Sequence, residues 1–392
     1  MASISSLHLN TARSWRGGER QTLLLLEGLK QRGHHPTLVC PPESPLGQRA
    51  QAAGIALQPL SMRNIRDLMR LRRLIGSLQP HIIHYHTAHA HSSGLLARLG
   101  MFTTARTIVH RRVGFSIHRS GFPGLTHFKY GRSVDRFVVS SQEIRQVLLK
   151  DGISAERIEV VYDGVPPLPD VTTTSTDIRN TIGVPADAIL LGSIGSLSKE
   201  KGQSYLLDAL GLLKDRQQPV HLVLVGAGDE AESLQQLAHQ HGIRDRVHLA
   251  GFQQPEQISS WLASFDLYLQ PSLAEGLCTS ILDALQSKLP VIASAVGGIP
   301  EVIEDRVTGL LVAPADAKPL AVAIDTLLDD ATLSQDLARA GTLRAQQRFS
   351  ADAMIEGNLT VQRELLNDVA SDGPADPVIE KSAQLWSEEV IG

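Results

Sequence analysis

The stretch Gly192-Ser193-Ile194-Gly195-Ser196-Leu197-Ser198-Lys199-Glu200-Lys201-Gly202 follows an apolar run and leads into a helical pattern. Glycines at such a turn let the backbone approach an anion, the helix N-terminus offers free N–H groups, and Lys201 adds a full positive charge. The chemistry this suits is the holding of a phosphate or diphosphate. The spacing is neither that of a Walker loop nor that of the dinucleotide fingerprint, so neither ATP hydrolysis nor NAD binding follows from it. The same residues also fit an ordinary strand-to-helix turn with a solvated lysine.

A second stretch, Pro271-Ser272-Leu273-Ala274-Glu275-Gly276-Leu277-Cys278-Thr279-Ser280-Ile281-Leu282-Asp283, ends a strand, turns, and starts a helix after Glu275. A carboxylate there accepts backbone N–H groups or the hydroxyls of a polyol such as a sugar. Asp283 lies two helical turns further on, rotated from Glu275 by roughly 80°. Two acceptors along one side of a cleft suit two sets of hydroxyls. A helix N-cap followed by a surface aspartate is the plainer alternative.

The elements that must position these residues alternate along the chain. In the first half, strand patterns at Ser5–Leu9, Pro36–Cys40, Ala56–Leu60, His81–Tyr85, Thr107–Val109, Arg136–Val139 and Glu159–Tyr162 are interleaved with helical ones such as Gly18–Arg32, Ile65–Leu78 and Gln142–Asp151. The second half repeats the alternation from Ile189 to Val312, and helical patterns at Pro319–Leu328, Ser334–Arg348 and Ala351–Leu366 close it. Strands alternating with helices predict parallel sheets covered on both faces. Between the halves, Pro166-Pro167-Leu168-Pro169-Asp170-Val171-Thr172-Thr173-Thr174-Ser175-Thr176 has no periodicity and reads as a linker. The division expected is a Rossmann-like domain over 1–168, a linker over 169–180, a second Rossmann-like domain over 181–348, and a helix over 349–392 that packs back on the first domain before a tail. Ligands of such sheets bind beyond the carboxyl ends of the strands, which puts the site in the cleft between the domains.

The 392 residues suit two domains, and 42% hydrophobic with 20% charged residues describes a globular chain. Two cysteines, Cys40 and Cys278, argue against a disulfide framework. Neither a signal-peptide pattern nor an apolar run of spanning length is found, so the protein is expected to be cytoplasmic. Residues 1–168 carry 22 Lys and Arg against 10 Asp and Glu, a net of +12, which leaves −16 for the remainder. Such asymmetry suits an anionic partner on the first half, or mutual attraction of the halves across the cleft. Aromatic residues are 4% of the chain and are not interleaved with the basic ones, which speaks against nucleic-acid binding.

With Ser294-Ala295-Val296-Gly297-Gly298-Ile299-Pro300-Glu301-Val302-Ile303, Leu224-Val225-Gly226-Ala227-Gly228-Asp229, Arg246-Val247-His248-Leu249-Ala250-Gly251-Phe252 and Arg16-Gly17-Gly18-Glu19-Arg20, the sequence resembles the retaining nucleotide-sugar glycosyltransferases of family four. The resemblance runs from Leu7 to Phe349. It implies the GT-B fold, two doubly wound α/β domains facing across a cleft, with a nucleotide diphosphate sugar as donor and neither a cofactor nor a metal. It also implies that Lys201 binds the donor diphosphate, Glu275 the transferred sugar, and Asp283, where the family usually has glutamate, the ribose. Gly17 and Gly18 would let their loop approach donor and acceptor, and Gly251 and Phe252 would hold the base. Ser196 stands where the family often has arginine; Lys199 or an N-domain arginine is the candidate replacement. His110 is the candidate for the family's N-domain histidine. The acceptor expected is an anionic or lipid-linked glycan of lipopolysaccharide, glycolipid or polysaccharide synthesis. An inactive nucleotide-sugar binder and a sugar-nucleotide epimerase are the alternatives.

Two further clusters stand out. His81, His84, His86, His89 and His91 fall close together, and strand spacing puts His84 and His86 on one face. No nearby cysteine or carboxylate completes a metal set, so structural or substrate-contact histidines are expected. Met62 to Ile75 forms a basic amphipathic helix whose arginines face either water or anionic lipid headgroups on a membrane surface. Arg98, Arg106, Arg111, Arg112, Arg119, Lys129, Arg132 and Arg136 extend the positive region.

Overall fold

The computed structural model describes residues 3–118, 127–167, 178–185 and 187–372. Most of the expected linker, the tail past 372 and Arg119 lie outside the described residues. In the first half seven strands form one wholly parallel sheet: β1 Ser5–Leu9, β2 His35–Cys40, β3 Ala56–Pro59, β4 Ile82–Tyr85, β5 Arg106–Arg111, β6 Arg136–Val139 and β7 Ile158–Val160. Their order across the sheet is β3-β2-β1-β4-β5-β6-β7. The second half has a six-stranded parallel sheet of β8 Ile189–Ile194, β9 Val220–Val225, β10 Val247–Gly251, β11 Leu267–Gln270, β12 Val291–Ser294 and β13 Leu310–Val312, ordered β10-β9-β8-β11-β12-β13. In each sheet the winding direction reverses once, between β1 and β4 and between β8 and β11. Loops at such a reversal diverge and leave a crevice at the carboxyl ends. The loops after β1, β8 and β11 carry Gly17, Lys201 and Glu275.

The strands form where β-branched and leucine runs are buried on both faces. All six residues of β9 are buried, as are all four of β4. Helices begin where a side chain caps the first turn. In α1 (Gly17–Gln31) no side chain caps the N-terminus. Ser44 caps α2 (Pro45–Ala52), Asn64 caps α3 (Ile65–Leu78), Thr87 caps α4 (Ala88–Arg98) and Ser141 caps α5 (Gln142–Lys150). Helices α2 and α4 were not expected. Their sequences are polar or glycine-broken, and only the caps and the proline at the start of α2 signal them. The helix expected to open at Gly202 is α6 (Gln203–Leu212), preceded by a tight 3-10 turn over Lys199–Lys201. Ile178–Thr181, expected as linker, is a short helix. The helix α7 (Thr279–Gln286) follows β11. Among the described residues no helix is long and apolar enough to cross a membrane.

The last helix, α8 (Ala351–Asp372), returns to the first sheet. Met354, Ile355, Leu359 and Leu365 pack with Leu25 and Leu29 of α1 and with Ile82, Ile108 and Val138 of the strands. Gly28 of α1 makes this approach possible, because a Cβ there would lie 2.2 Å from Ile355 Cδ1. The chain crosses between the halves at two touching points: Val165 N–H donates to the Phe349 carbonyl at 3.0 Å, and Ala351 N–H donates to the Val165 carbonyl at 3.0 Å.

His8 of β1, His84 of β4, His86 just after it and His110 of β5 point to the same sheet face; His8, His84 and His110 are buried and His86 is half-buried. Their rings stack, with centroids 4.2 Å apart for His8–His84 and 4.3 Å for His86–His110. His84 Nδ1 and His110 Nε2 share a hydrogen at 2.9 Å, and His8 Nδ1 and His86 Nε2 at 3.1 Å. Burial first, then neighbouring positive charge, pushes His8, His86 and His110 well below the usual range; burial takes His84 down to about 3. The stack is therefore neutral when folded, while the unfolded chain takes up these protons below about pH 6.5. Stability is held above that pH and falls as pH drops, by about 1.4 kcal/mol per pH unit for each imidazole. Urea midpoints measured from pH 7.5 to 4.5 should fall accordingly, and His84→Phe should flatten the slope; an equal slope in that variant would mean that His84 is protonated in the fold.

Candidate active site

The two loops after β8 and β11 are fastened together. Leu273 N–H donates to the Glu200 carbonyl at 2.7 Å. Gly202, at φ +64°, lies so close to the Pro271 carbonyl that a Cβ would sit 2.2 Å from its oxygen. This places Lys201 Nζ 2.5 Å from Glu275 Oε1, with the Glu275 side chain 9% exposed. The same oxygen accepts from the Ser272 hydroxyl at 2.7 Å, and Ser272 in turn accepts from Gln270 Nε2 at 2.8 Å. Tyr268, fully buried, fixes Gln270 by donating to its Oε1 at 2.9 Å. Burial works against the Lys201 charge, but the neighbouring Cys278 and the Glu275 carboxylate more than offset it, leaving the ammonium above its usual value. Only Oε1 of Glu275 is engaged by these groups.

Behind Glu275 the chain makes a strained entry into α7. Cys278 caps the helix at φ +75°, a left-handed conformation that a non-glycine residue holds at a cost of about 1–3 kcal/mol. The first turn of α7 meets the first turn of α1 from the other half: a Cβ on Gly17 would lie 3.3 Å from Thr279 Oγ1, while Gly18 faces open space. One turn deeper, Arg20 donates to both oxygens of Asp283, at 2.5 and 3.0 Å. The halves also touch where Gly276 passes the Arg112 carbonyl, 2.2 Å from a would-be Cβ. The Glu301 carboxylate accepts from the backbone N–H groups of Gln142 and Glu143 at the start of α5, at 2.8 and 3.1 Å. Gly297 passes directly behind the Glu275 carbonyl and Gly298 behind that of Gly276, so both brace the Glu275 loop.

The structure thus brings Gly17, Gly18, Lys201, Glu275 and Asp283 to one cleft. Ser196 lies in the same β8 loop, half-buried, its carbonyl accepting from Gln203 at 2.9 Å. Gly251, at φ +69°, ends β10, and Phe252 beside it is 56% exposed, a flat apolar surface at the rim. His110 is 6% exposed and bonded within the imidazole stack through its Nε2. Asp283 has both oxygens committed to Arg20, where a ribose contact was expected. His84 and His86 do share a face; among the described residues no three His, Cys, Asp or Glu side chains are grouped to hold a metal ion.

Several groups around the site carry roles that the sequence did not show. Arg20 and Glu19 stand in the quoted Gly-Gly-Glu-Arg stretch, and only the fold shows their partners. Glu19 is buried beside Asn10, and burial holds its carboxyl above the usual range. Arg112 donates to Asp163 at 2.9 Å, and burial likewise raises the Asp163 carboxyl. Ser272 and Gln270 hold Glu275.

Two parallel-strand α/β sheets, of seven and six strands, form the GT-B architecture. A model of group 1 glycosyl transferases matches residues 174–344, and one of glycosyltransferase family 4 matches residues 15–167. The chain belongs to the family 4 glycosyltransferases. It is 32% identical over 238 residues to a D-inositol 3-phosphate glycosyltransferase of Xylanimonas cellulosilytica, covering 58% of this chain and 56% of that protein. It is 31% identical over 181 residues to the lipopolysaccharide core biosynthesis glycosyltransferase LpsE of Rhizobium meliloti, covering 46% of this chain and 52% of that one. The matched stretches thus span about half the length of these relatives. The crystal structure of Anabaena Alr3699/HepE in complex with UDP-glucose shares the fold, with a TM-score of 0.78 at 22% identity over 94% of this chain and 100% of that chain.

The Cys278 thiol, between Glu275 and α7, is pushed up to about 12, first by burial and then by the Glu275 carboxylate. Thiolate is the reactive form, so Cys278 should resist iodoacetamide at pH 8 in the folded protein and react once unfolded. Mass spectrometry of alkylated peptides reads this directly; fast labelling of native Cys278 would contradict the buried placement.

Proposed function

We propose that the protein transfers a sugar, with retention of anomeric configuration, from a nucleotide diphosphate sugar to an acceptor held mainly by the N-terminal half. One observation carries this reading: the Lys201–Glu275 pair sits where the divergent loops of the second sheet meet the first turns of α1 and α7. Those two helix N-termini and Lys201 supply positive charge for a departing diphosphate. Glu275, with one oxygen uncommitted, accepts from hydroxyls of the transferred sugar. Phe252 and Gly251 offer a wall for the base. In this reading the leaving phosphate takes the acceptor proton in a front-face attack, so neither a separate general base nor a metal or cofactor is called for. Contact between the halves excludes water while the bond exchanges. The UDP-glucose complex of Alr3699/HepE and the lipopolysaccharide core role named for LpsE agree with the donor class and with a glycan acceptor.

The acceptor side favours a lipid-linked glycan at an anionic bilayer, on its cytoplasmic face. Helix α3 exposes Ile65 and Met69, 70% and 47% accessible, beside the exposed Arg63, Arg66, Arg70 and Arg73. None of these arginines has a partner among the described residues, and the helix's single carboxylate, Asp67, is buried and taken by Ser61 and Met62. Arg72 donates to the carbonyls of Ala97 and Leu99, joining α3 to the end of α4, where Leu96, Leu99 and Phe102 are exposed. Apolar side chains ringed by unpaired arginines fit lipid headgroups rather than nucleic acid.

Nucleotide release from a panel of UDP-, GDP- and ADP-sugars, with and without crude glycolipid, tests the transfer. Release from one donor, raised by acceptor and reduced about 100-fold or more by Lys201→Ala, is expected. Tight nucleotide binding with no release from any donor would instead mark an inactive binder, and interconversion of the sugar an epimerase. Flotation with vesicles tests the surface: binding to phosphatidylglycerol-containing but not pure phosphatidylcholine vesicles is expected, lost in Arg66→Glu/Arg70→Glu/Arg73→Glu. Equal binding by that variant would remove the membrane reading.

A further inference from the structure

Arg20 is a cation brought into the donor cleft from the opposite half of the molecule. Three observations set it apart from the other ion pairs between the halves. First, it is well shielded: the side chains are 25% and 7% exposed, whereas Glu256, which pairs with Arg49 across the same divide, is 65% exposed. Exposed pairs of that kind contribute little, while removing one member of a buried pair leaves an uncompensated charge. Second, it is bidentate, with both guanidinium nitrogens on both carboxylate oxygens, which sets orientation as well as distance. Third, it lies one turn behind the Gly17–Thr279 contact on each helix. Two contacts one turn apart on the same pair of helices fix their register, so the N-termini of α1 and α7 open into the same space.

We propose that Arg20 is a positioning residue for the donor diphosphate: clasped by Asp283, it holds the N-termini of α1 and α7 side by side. This rests on the donor reading above and adds to it. The anion-binding elements come from different halves, and a diphosphate can use both only while the clasp is made. The guanidinium has five N–H donors, of which Asp283 takes two, leaving others for a phosphate oxygen. Asp283 has the reach for this role because it lies on the face of α7 that meets α1. The cost of the arrangement is that a ribose must share an already engaged carboxylate.

The test uses the full chain and four variants: Arg20→Gln, Asp283→Asn, Arg20→Lys and the swap Arg20→Asp/Asp283→Arg. Circular dichroism confirms that each is folded. Calorimetry with UDP, GDP and ADP reads nucleotide affinity, and small-angle scattering reads closure independently of any ligand. Arg20→Gln should lower the affinity of the nucleotide that the wild type binds by about tenfold or more and enlarge the radius of gyration. Arg20→Lys, which keeps the charge but not the fork, should fall between, and the swap should restore the compact form. Where donor turnover is measurable, KM for the donor should rise more than kcat falls. Wild-type affinity and an unchanged radius in Arg20→Gln, or a swap no more compact than the single variants, would overturn the proposal. If the wild type itself binds no nucleotide, the donor reading fails, while scattering of Arg20→Gln still decides whether the clasp exists.

Discussion

Lys201 and Glu275 are both charged, both largely withdrawn from water, and 74 residues apart in the chain. Neither could be held there alone, since a desolvated charge without a partner costs several kcal/mol. Their pairing requires β8 and β11 to be neighbours with divergent loops, which only the reversal of winding between them provides. The Tyr268–Gln270–Ser272 chain of hydrogen bonds, the passage of Gly202 against Pro271 and the strained Cys278 all keep that one contact in place. The site is therefore less a set of residues added to a fold than the point at which the fold's winding reverses.

What a linear reading recovers, and what it does not, follows from the range of the interactions concerned. The buried strands are legible because a parallel sheet wants β-branched and leucine runs on both faces, and β9 is such a run from end to end. Lys201 and Glu275 are legible because each stands in a glycine-punctuated turn between a strand and a helix. Helices α2 and α4 escape notice because their stability comes from capping and from packing rather than from an apolar stripe. Arg20 escapes for a different reason. Its partner is 263 residues away, and nothing local distinguishes it from a surface arginine of α1. His110 reads from the sequence as a site histidine, and the register of β5 adds what spacing alone does not show, its hydrogen bond to His84 within the stack.

The two halves differ in how they are closed. One face of the second sheet is covered by helices of its own half, in a core that draws on residues from Ile189 to Leu337. The first sheet is not complete without α8, which supplies Met354, Ile355, Leu359 and Leu365 to the face beside the imidazole stack. A polar stack of four neutral imidazoles in that face is tolerated because the rings stack on and bond to one another.

The crossing of the chain at Val165 and Ser350 bears on how such proteins diversify. Because the outgoing and returning strands of the chain touch at that point, everything between them is an insertion into the first half, with its two ends side by side. The second half could be exchanged between relatives by two cuts at a single place, leaving residues 3–164 and α8 together as one unit. Cutting once, in the proline-rich stretch, would instead strip the first sheet of its last helix. Exchange at the doubled seam would leave the core that α8 forms with the first sheet intact.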